Sequence, residues 1–364
     1  MTVRCDIAIV GSGFAGSLLA MIAHRLGRSV VLIERGRHPR VVIGESSTPI
    51  TNLLLEELTT RYDLPSVRPL AKWGNWQRTH PEIACGLKRG FTFYHHDRKC
   101  NSQPSNDVIL SAACGSLIAA GGVEGPASRL DYHGSSSSDR LIPDRNAQLL
   151  VAASPHDEIS DTHWYRADFD QFLVREAQRL GVDYLDETNL TGFAESDDEV
   201  RLEGMRHGEK ISVSAEFLVD ASGPRGFLHC ALGLQELQLP GFPATQALYS
   251  HFSGVRRLEN LYPTPDGQSP PYPVDDAAVH HVFDGGWIWV LQFNNGMTSA
   301  GIAATDALAE KLKLTDGADA WQRILHRIPA LESQFAAAKA ERPFTHMPRL
   351  AFRSATISGS RWAL

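Results

Sequence analysis

Only five of the chain's 364 residues are cysteine (Cys5, Cys85, Cys100, Cys114 and Cys230), an odd and scattered set with no CxxC pair. That argues against a disulfide framework or a cysteine zinc site and for a reducing compartment. The charge comes in no long run of one sign and sums to −7, so neither nucleic acid nor an anionic membrane is indicated as a partner. The longest weakly polar stretch, Val108–Val123, is rich in Gly, Ala and Ser and shorter than the ~20 residues of a membrane helix; it reads as a loop or short buried helix. The opening MTVRCDIAIVGSG shows no basic leader followed by an apolar core, which sets the expectation of a cytoplasmic protein. The histidine pairs His95-His96 and His280-His281 lack HExxH or HxH spacing, and neighbours in a strand point to opposite faces. No metal site is expected from them, although one member of each pair could line a cavity.

What is present begins at the N-terminus. Residues 4–10 read as a buried strand, 14–26 as a helix and 29–34 as a second strand. Between the first two lie Gly11, Gly13 and Gly16 in G-x-G-x-x-G spacing. Gly11 permits the tight turn, Gly13 lets the backbone approach a pyrophosphate, and Gly16 lets helix pack on strand. The helix N-terminus, at Phe14 and Ala15, offers unpaired N–H groups to the diphosphate. Glu34, at the second strand's end, can accept hydrogen bonds from both ribose hydroxyls, which disfavours a 2′-phosphate.

Further on, Thr48-Pro49 suits a helix start. A polar excursion occupies about 97–145, including His133–Asp139. A helix over 168–180 stops at Gly181, and 209–220 reads as a hairpin arm running into a buried strand. Alternating segments dominate 245–304, and helices return at 306–340. The pattern is α/β: a Rossmann-like FAD/NAD(P)-binding domain with an interleaved antiparallel-sheet substrate domain. The expected division is 1–235 for the nucleotide domain, 236–345 for the sheet domain with its helices, and 346–364 for a return to the first.

The stretches WYRADFDQFLVREA (Trp164–Ala177) and FLVDASGPRGFL (Phe217–Leu228) resemble the second and third signatures of the large FAD-dependent hydroxylase and reductase superfamily. GESSTP (Gly44–Pro49), KRGFTF (Lys88–Phe93) and GGWIWVL (Gly285–Leu291) narrow this further. With them the whole chain resembles the flavin-dependent halogenases of the tryptophan-halogenase-like group. In that family's Trp-x-Trp-x-Ile-Pro motif, Trp287, Ile288, Trp289 and Val290 match, and Leu291-Gln292 replace Ile-Pro.

The resemblance implies FAD, with Arg35, Ser47, Arg166, Asp220 and Gly223 joining the glycine turn and Glu34 as cofactor contacts. It implies Lys88 as the catalytic lysine and Trp287 and Trp289 as walls of a tunnel between flavin and substrate. It also implies the chemistry. A flavin C4a-hydroperoxide formed from O2 reacts with halide, and the hypohalous acid reaches Lys88 and an electron-rich aromatic substrate, free or carrier-bound. No second glycine-rich nucleotide motif appears, so reduced flavin is expected from a separate reductase. The alternatives are a flavin monooxygenase or dehydrogenase without halogenation, and a truncated flavoprotein that does not catalyse.

Alternation across GLKRGFTFYHH puts Lys88, Gly90 and Thr92 on one face and Arg89, Phe91 and Phe93 on the other. Finally, SRWAL reads as a strand with no turn, cap or polar tail after Leu364. In the family such a strand leads to a Gly-Asp flavin motif and a halide-binding segment, so the expectation is of a chain cut short.

Overall fold

A computed structural model describes residues 1–96, 148–261 and 270–364; the excursion at 97–145, with Val108–Val123 and His133–Asp139, lies outside the described residues. Two large sheets organise the rest. The first is seven-stranded, in the order Asp183–Leu185, Val30–Ile33, Thr2–Val10, Glu209–Asp220, Val200–Arg206, Thr188–Glu195, with Trp362–Ala363 also paired to Glu209–Asp220. Its first four strands run parallel, as does Trp362–Ala363 beside Leu218–Val219, while Val200–Arg206 and Thr188–Glu195 fold back as antiparallel arms. Val30–Ile33 is a four-residue apolar run buried throughout, the pattern of a strand covered on both faces.

One face of this sheet is covered by the helices Phe14–Arg25 and Arg166–Leu180, through Leu18, Met21, Phe169, Leu173 and Ala177. Gly181 ends the second helix at φ 106°, a left-handed cap that glycine adopts without strain. Pro49–Arg61 starts as the sequence suggests: Pro49 occupies the first turn and the Thr48 hydroxyl accepts from the Thr51 N–H at 3.3 Å.

The second sheet has eight strands, in the order Lys339–Ala340, Thr245–Ser253, Met297–Thr305, Gly286–Gln292, Ala278–Phe283, Gly90–His95, Gln148–Ala152, with Thr345–Met347 also on Thr245–Ser253. All its pairings are antiparallel except Gly90–His95 with Ala278–Phe283. Ile288, Val290, Ile302 and Leu248 project from one face into a core closed by the helices Asp306–Leu312, Ala318–Leu325 and Pro329–Phe335. Trp321, 1% exposed, anchors that core, with ring centroids 5.5 Å from both Phe252 and Phe335. Alternation then sends Trp287, Trp289 and Leu291 to the opposite face, away from the helices.

One sequence expectation fails here. Lys88 and Phe91 do not sit on opposite faces of one strand, because the strand is interrupted at Arg89. Cys85–Lys88 pairs with Asp161–Trp164 in a separate two-stranded sheet, and Gly90–His95 joins the large one. At Gly90 a Cβ would lie 2.0 Å from the Val151 carbonyl oxygen, so only glycine permits this close crossing. The switch turns the Lys88 ammonium over the Phe91 ring, 4.1 Å from its centroid.

Candidate active site

The glycine turn is built as its spacing requires. Gly11 has φ 100°, and a Cβ there would lie 2.5 Å from the Ala221 carbonyl oxygen and the Ser222 Cα. The turn that follows Asp220 therefore rests directly on the first glycine. Gly16 carries the same constraint, with a Cβ position 1.9 Å from the Gly11 oxygen. Gly13 is different: its Cβ position is 3.4 Å from a guanidinium nitrogen of each of Arg166 and Arg40. No side chain caps the helix that starts at Phe14, and its first turn holds no acid. An uncapped helix N-terminus facing two guanidinium groups is a fitting cradle for a diphosphate.

Glu34, 8% exposed, accepts from the Ser12 N–H at 3.0 Å, the Ser12 hydroxyl at 2.9 Å and the Gly36 N–H at 3.0 Å, and faces Arg40 at 3.4 Å. Burial opposes its ionisation, but these donors and Arg40 outweigh burial and hold the carboxyl below its usual range. The Ser12 hydroxyl donates to Glu34, so His38 Nε2, 2.8 Å away, must carry the proton it gives to that oxygen. Sequence reasoning missed Ser12, His38 and Arg40. The basic residues of ERGRHPR were the available signal for Arg40; Arg35, which the resemblance implied, is exposed.

Of the other expected cofactor contacts, Phe14 turns its ring inward, 4.7 Å from Trp164, while Ala15 is exposed. Asp220 accepts from Ser222 and, at 2.6 Å, from the Leu228 N–H, so its carboxylate closes its own turn and the helix Phe227–Ala231. Gly223, at φ 94°, is exposed with open space where a Cβ would stand.

Arg166 and Lys88 meet through the GESSTP loop. Arg166 makes a two-pronged pair with Asp170 at 2.7 and 2.9 Å and donates to the Gly44 carbonyl at 3.0 Å. Three residues on, the Ser47 carbonyl accepts from the Lys88 ammonium. The Ser47 hydroxyl donates to the Thr162 carbonyl at 2.7 Å and accepts from Asn52 at 3.0 Å, fixing the carbonyl's direction. Between them Glu45 holds His251 Nε2 at 2.6 Å, both side chains 1% exposed, tying the loop to the large sheet.

Lys88 is fully buried. Burial pushes its amine down to about 8, while Asp161, its partner across the strand pair, pulls the other way. Asp161 is itself raised by burial, and its Oδ2 has no partner among the described residues.

The large sheet's open face continues from Lys88. Register places Leu149, Phe93, His280, Trp289, Gly301 and Tyr249 in one row across five strand pairings. Phe91 and Phe93 lie 6.1 Å apart and Phe93 stacks on His280 at 5.1 Å. Trp289 is half-buried and donates its ring N–H to Ser299 at 3.2 Å; Trp287 is half-buried on the same face. Gly301 leaves room for the Trp289 ring, which lies 2.4 Å from where a Cβ would be. His281 points to the other face, where it meets His96 at 2.9 Å.

Among the described residues, the groups that could hold a metal by proximity reduce to Asp186, Glu187 and His207, a partly exposed set in which Asp186 is already engaged by Arg206. No helix among the described residues is long and apolar enough to cross a membrane.

Comparison with known proteins agrees with this architecture. The chain is 26% identical to tetracycline 7-halogenase of Kitasatospora aureofaciens over 99% of its own length and 58% of the relative's. It is also 26% identical to monodechloroaminopyrrolnitrin halogenase PrnC of Pseudomonas fluorescens, over 99% of this chain and 56% of that one. The chain thus spans somewhat over half the length of these curated relatives. Among solved structures, halogenase PltM in complex with phloroglucinol and FAD superposes with a TM-score of 0.76 at 24% identity, covering 99% of this chain and 63% of that one, which supports the fold. The tryptophan halogenase family model matches residues 6–345, and the chain belongs to that family.

Proposed function

We propose that this chain forms the FAD-facing and substrate-facing part of a flavin-dependent halogenase acting on an electron-rich aromatic, free or carrier-bound. The observation that carries the reading is the loop from Gly44 to Ser47. One end receives Arg166, whose guanidinium also faces Gly13 of the glycine turn, and the other receives a fully buried lysine set over the Phe91 ring.

The residues fit FAD. Gly13, Arg40 and Arg166 would hold the diphosphate, Glu34 the adenosine ribose, and the turn after Asp220 would back the glycine loop. When bound and reduced, FAD supplies the oxidising chemistry that, with O2, converts halide to hypohalous acid. The chain's own task is to keep that oxidant from diffusing. Trp287 and Trp289 wall the route, and Lys88 receives the halogen, as hydrogen-bond donor or as nucleophilic amine. An amine pushed down to about 8 retains a usable neutral fraction near neutral pH. The Ser47 carbonyl fixes where that nitrogen stands. A separate flavin reductase and a cytoplasmic setting belong to the same reading, the latter resting on the scattered cysteines.

The test supplies FAD, a flavin reductase with NADH, O2, halide and a phenol, and reads product mass. Halide-dependent products should form with the wild-type protein when it carries the halide-binding segment that the resemblance implies. They should vanish in Lys88→Met while NADH oxidation continues. Oxygenated product irrespective of halide, or unchanged halogenation by Lys88→Met, would overturn the assignment.

A further inference from the structure

The aromatic face holds one side-chain nitrogen whose role is fixed by geometry and that nothing above uses. His280 Nδ1 lies 3.0 Å from the Ala278 carbonyl oxygen. A carbonyl only accepts, so Nδ1 carries the proton and, in the neutral ring, Nε2 is left as a bare acceptor. Among the described residues this is the one hydrogen bond the ring makes. The imidazole is half-buried in the row between Phe93 and Trp289, parallel to Phe93 within 22°.

Two neighbouring polar groups on this face are engaged. The Trp289 N–H is held by Ser299, and His251 Nε2 is held by Glu45, while His251 Nδ1 is buried without a partner among the described residues. Of the charged and titratable groups around His280, Lys88 and His163 face it from the adjoining two-stranded sheet, while His281 follows it on the same strand. Burial first, and Lys88 next, push its ring down to about 4, whereas its bond to Ala278 pulls upward. It is therefore a neutral acceptor throughout the ordinary working range.

We propose that His280 Nε2 orients the substrate by accepting a hydrogen bond from a ring-borne O–H or N–H, making the site selective for hydroxy- or amino-aromatics over their alkylated analogues. This rests on the halogenase reading for its purpose but not for its test. A substrate stacked along Phe93 and Trp289 meets this acceptor, and an analogue without a donor leaves it desolvated and unpaired. Lys88, over the neighbouring Phe91, then meets a ring whose orientation is set from the His280 side.

The probes are 4-fluorophenol and 4-fluoroanisole, whose binding to the chain is followed by fluorine NMR without flavin or turnover. The wild type should prefer the phenol by about ten-fold. His280→Phe keeps the stacked ring and should bring the ratio to near one, while His280→Gln, which retains an acceptor, should keep part of it. In the wild type the preference should stay flat from pH 8 to pH 5, because the ring titrates near 4. No binding of either probe, no preference in the wild type, full preference in His280→Phe, or a preference lost with a midpoint near an ordinary histidine value each overturns the proposal. The pH series on the wild type decides the matter even where the Phe variant does not fold. Phenol selectivity without halogenated product would instead count against the halogenase reading alone.

Discussion

The loop from Ile43 to Thr48 has a cation at each end, and the protein treats the two in opposite ways. Arg166 is matched. Asp170, fully buried, takes two of its N–H groups in parallel, and the Ile43 and Gly44 carbonyls take others. Lys88 is fully buried, with the Ser47 carbonyl as its acceptor and the Phe91 ring face beside it, and among the described residues no carboxylate lies within ion-pairing distance of it. Asp161 acts on it from across the strand pair without touching it. A matched guanidinium stays charged and holds position, which suits a diphosphate cradle. An unmatched ammonium is pressed toward its neutral, nucleophilic form, which suits the role proposed for it, to meet an oxidised halogen. The two differ in both respects: Lys88 is fully buried without a carboxylate in reach, whereas Arg166 keeps 13% of its side chain exposed and is paired with Asp170.

The largest expected effect is at Asp170. Asp170→Ala leaves Arg166 in a largely buried setting with half its partners gone, and removing one member of such a pair costs about 3–5 kcal/mol. Urea denaturation should show a loss of that order, with flavin affinity falling in parallel because Arg166 no longer faces Gly13. A loss under about 1 kcal/mol would mean that the pair is no better than a surface ion pair.

At Lys88 the sign reverses. Its amine is lowered from an ordinary 10.5 to about 8. Below pH 8 folded and unfolded chains both hold the proton and the penalty of burying it is complete. Between pH 8 and 10.5 the unfolded chain keeps a proton the folded one has released, so stability rises with pH across that window by up to about 3 kcal/mol. Lys88→Met removes the charge at similar volume. It should be more stable than the wild type at pH 7, and the gap should close as pH approaches 10.5. Using the difference between the two proteins cancels other groups that titrate there. A constant gap, or a variant less stable at pH 7, would show that Lys88 is not strained by burial.

Which parts of this were legible in the sequence follows from distance along the chain. The glycine turn, its helix and Glu34 lie within one strand–helix–strand unit, so spacing alone carries their geometry. The same is true of Gly181 and of the Thr48-Pro49 helix start. Lys88 was legible as a residue but not as a position. Alternation assumes an unbroken strand, and the break at Arg89 is imposed by strands far away in sequence, where Gly90 crosses Val151. Likewise Glu45 and His251 are 206 residues apart, and no local pattern joins them. Arg40 reaches Glu34 across the loop between them, which a run of basic residues does not reveal. The histidines separated as alternation requires, yet only the carbonyl of Ala278 decides which nitrogen of His280 is free.

The smallest expected effect concerns Trp289, and it sharpens the contrast between groups that hold and groups that act. Its ring N–H is engaged by Ser299 at 3.2 Å, and Gly301 leaves the space its six-membered ring occupies. Trp289→Phe keeps an aromatic slab in the row between His280 and Gly301 and removes only the donor and some ring area. A single neutral hydrogen bond of this kind is worth about 1 kcal/mol, and Ser299 can redirect its hydroxyl once released. Thermal unfolding should therefore shift down slightly, by a few degrees at most for a chain of this size. The phenol-to-anisole ratio should not move, because the acceptor that sets it belongs to His280. If that ratio collapsed in Trp289→Phe while His280→Phe left it intact, recognition of the substrate's donor would belong to the tryptophan side of the row, and Trp289 would be part of the working site rather than its wall.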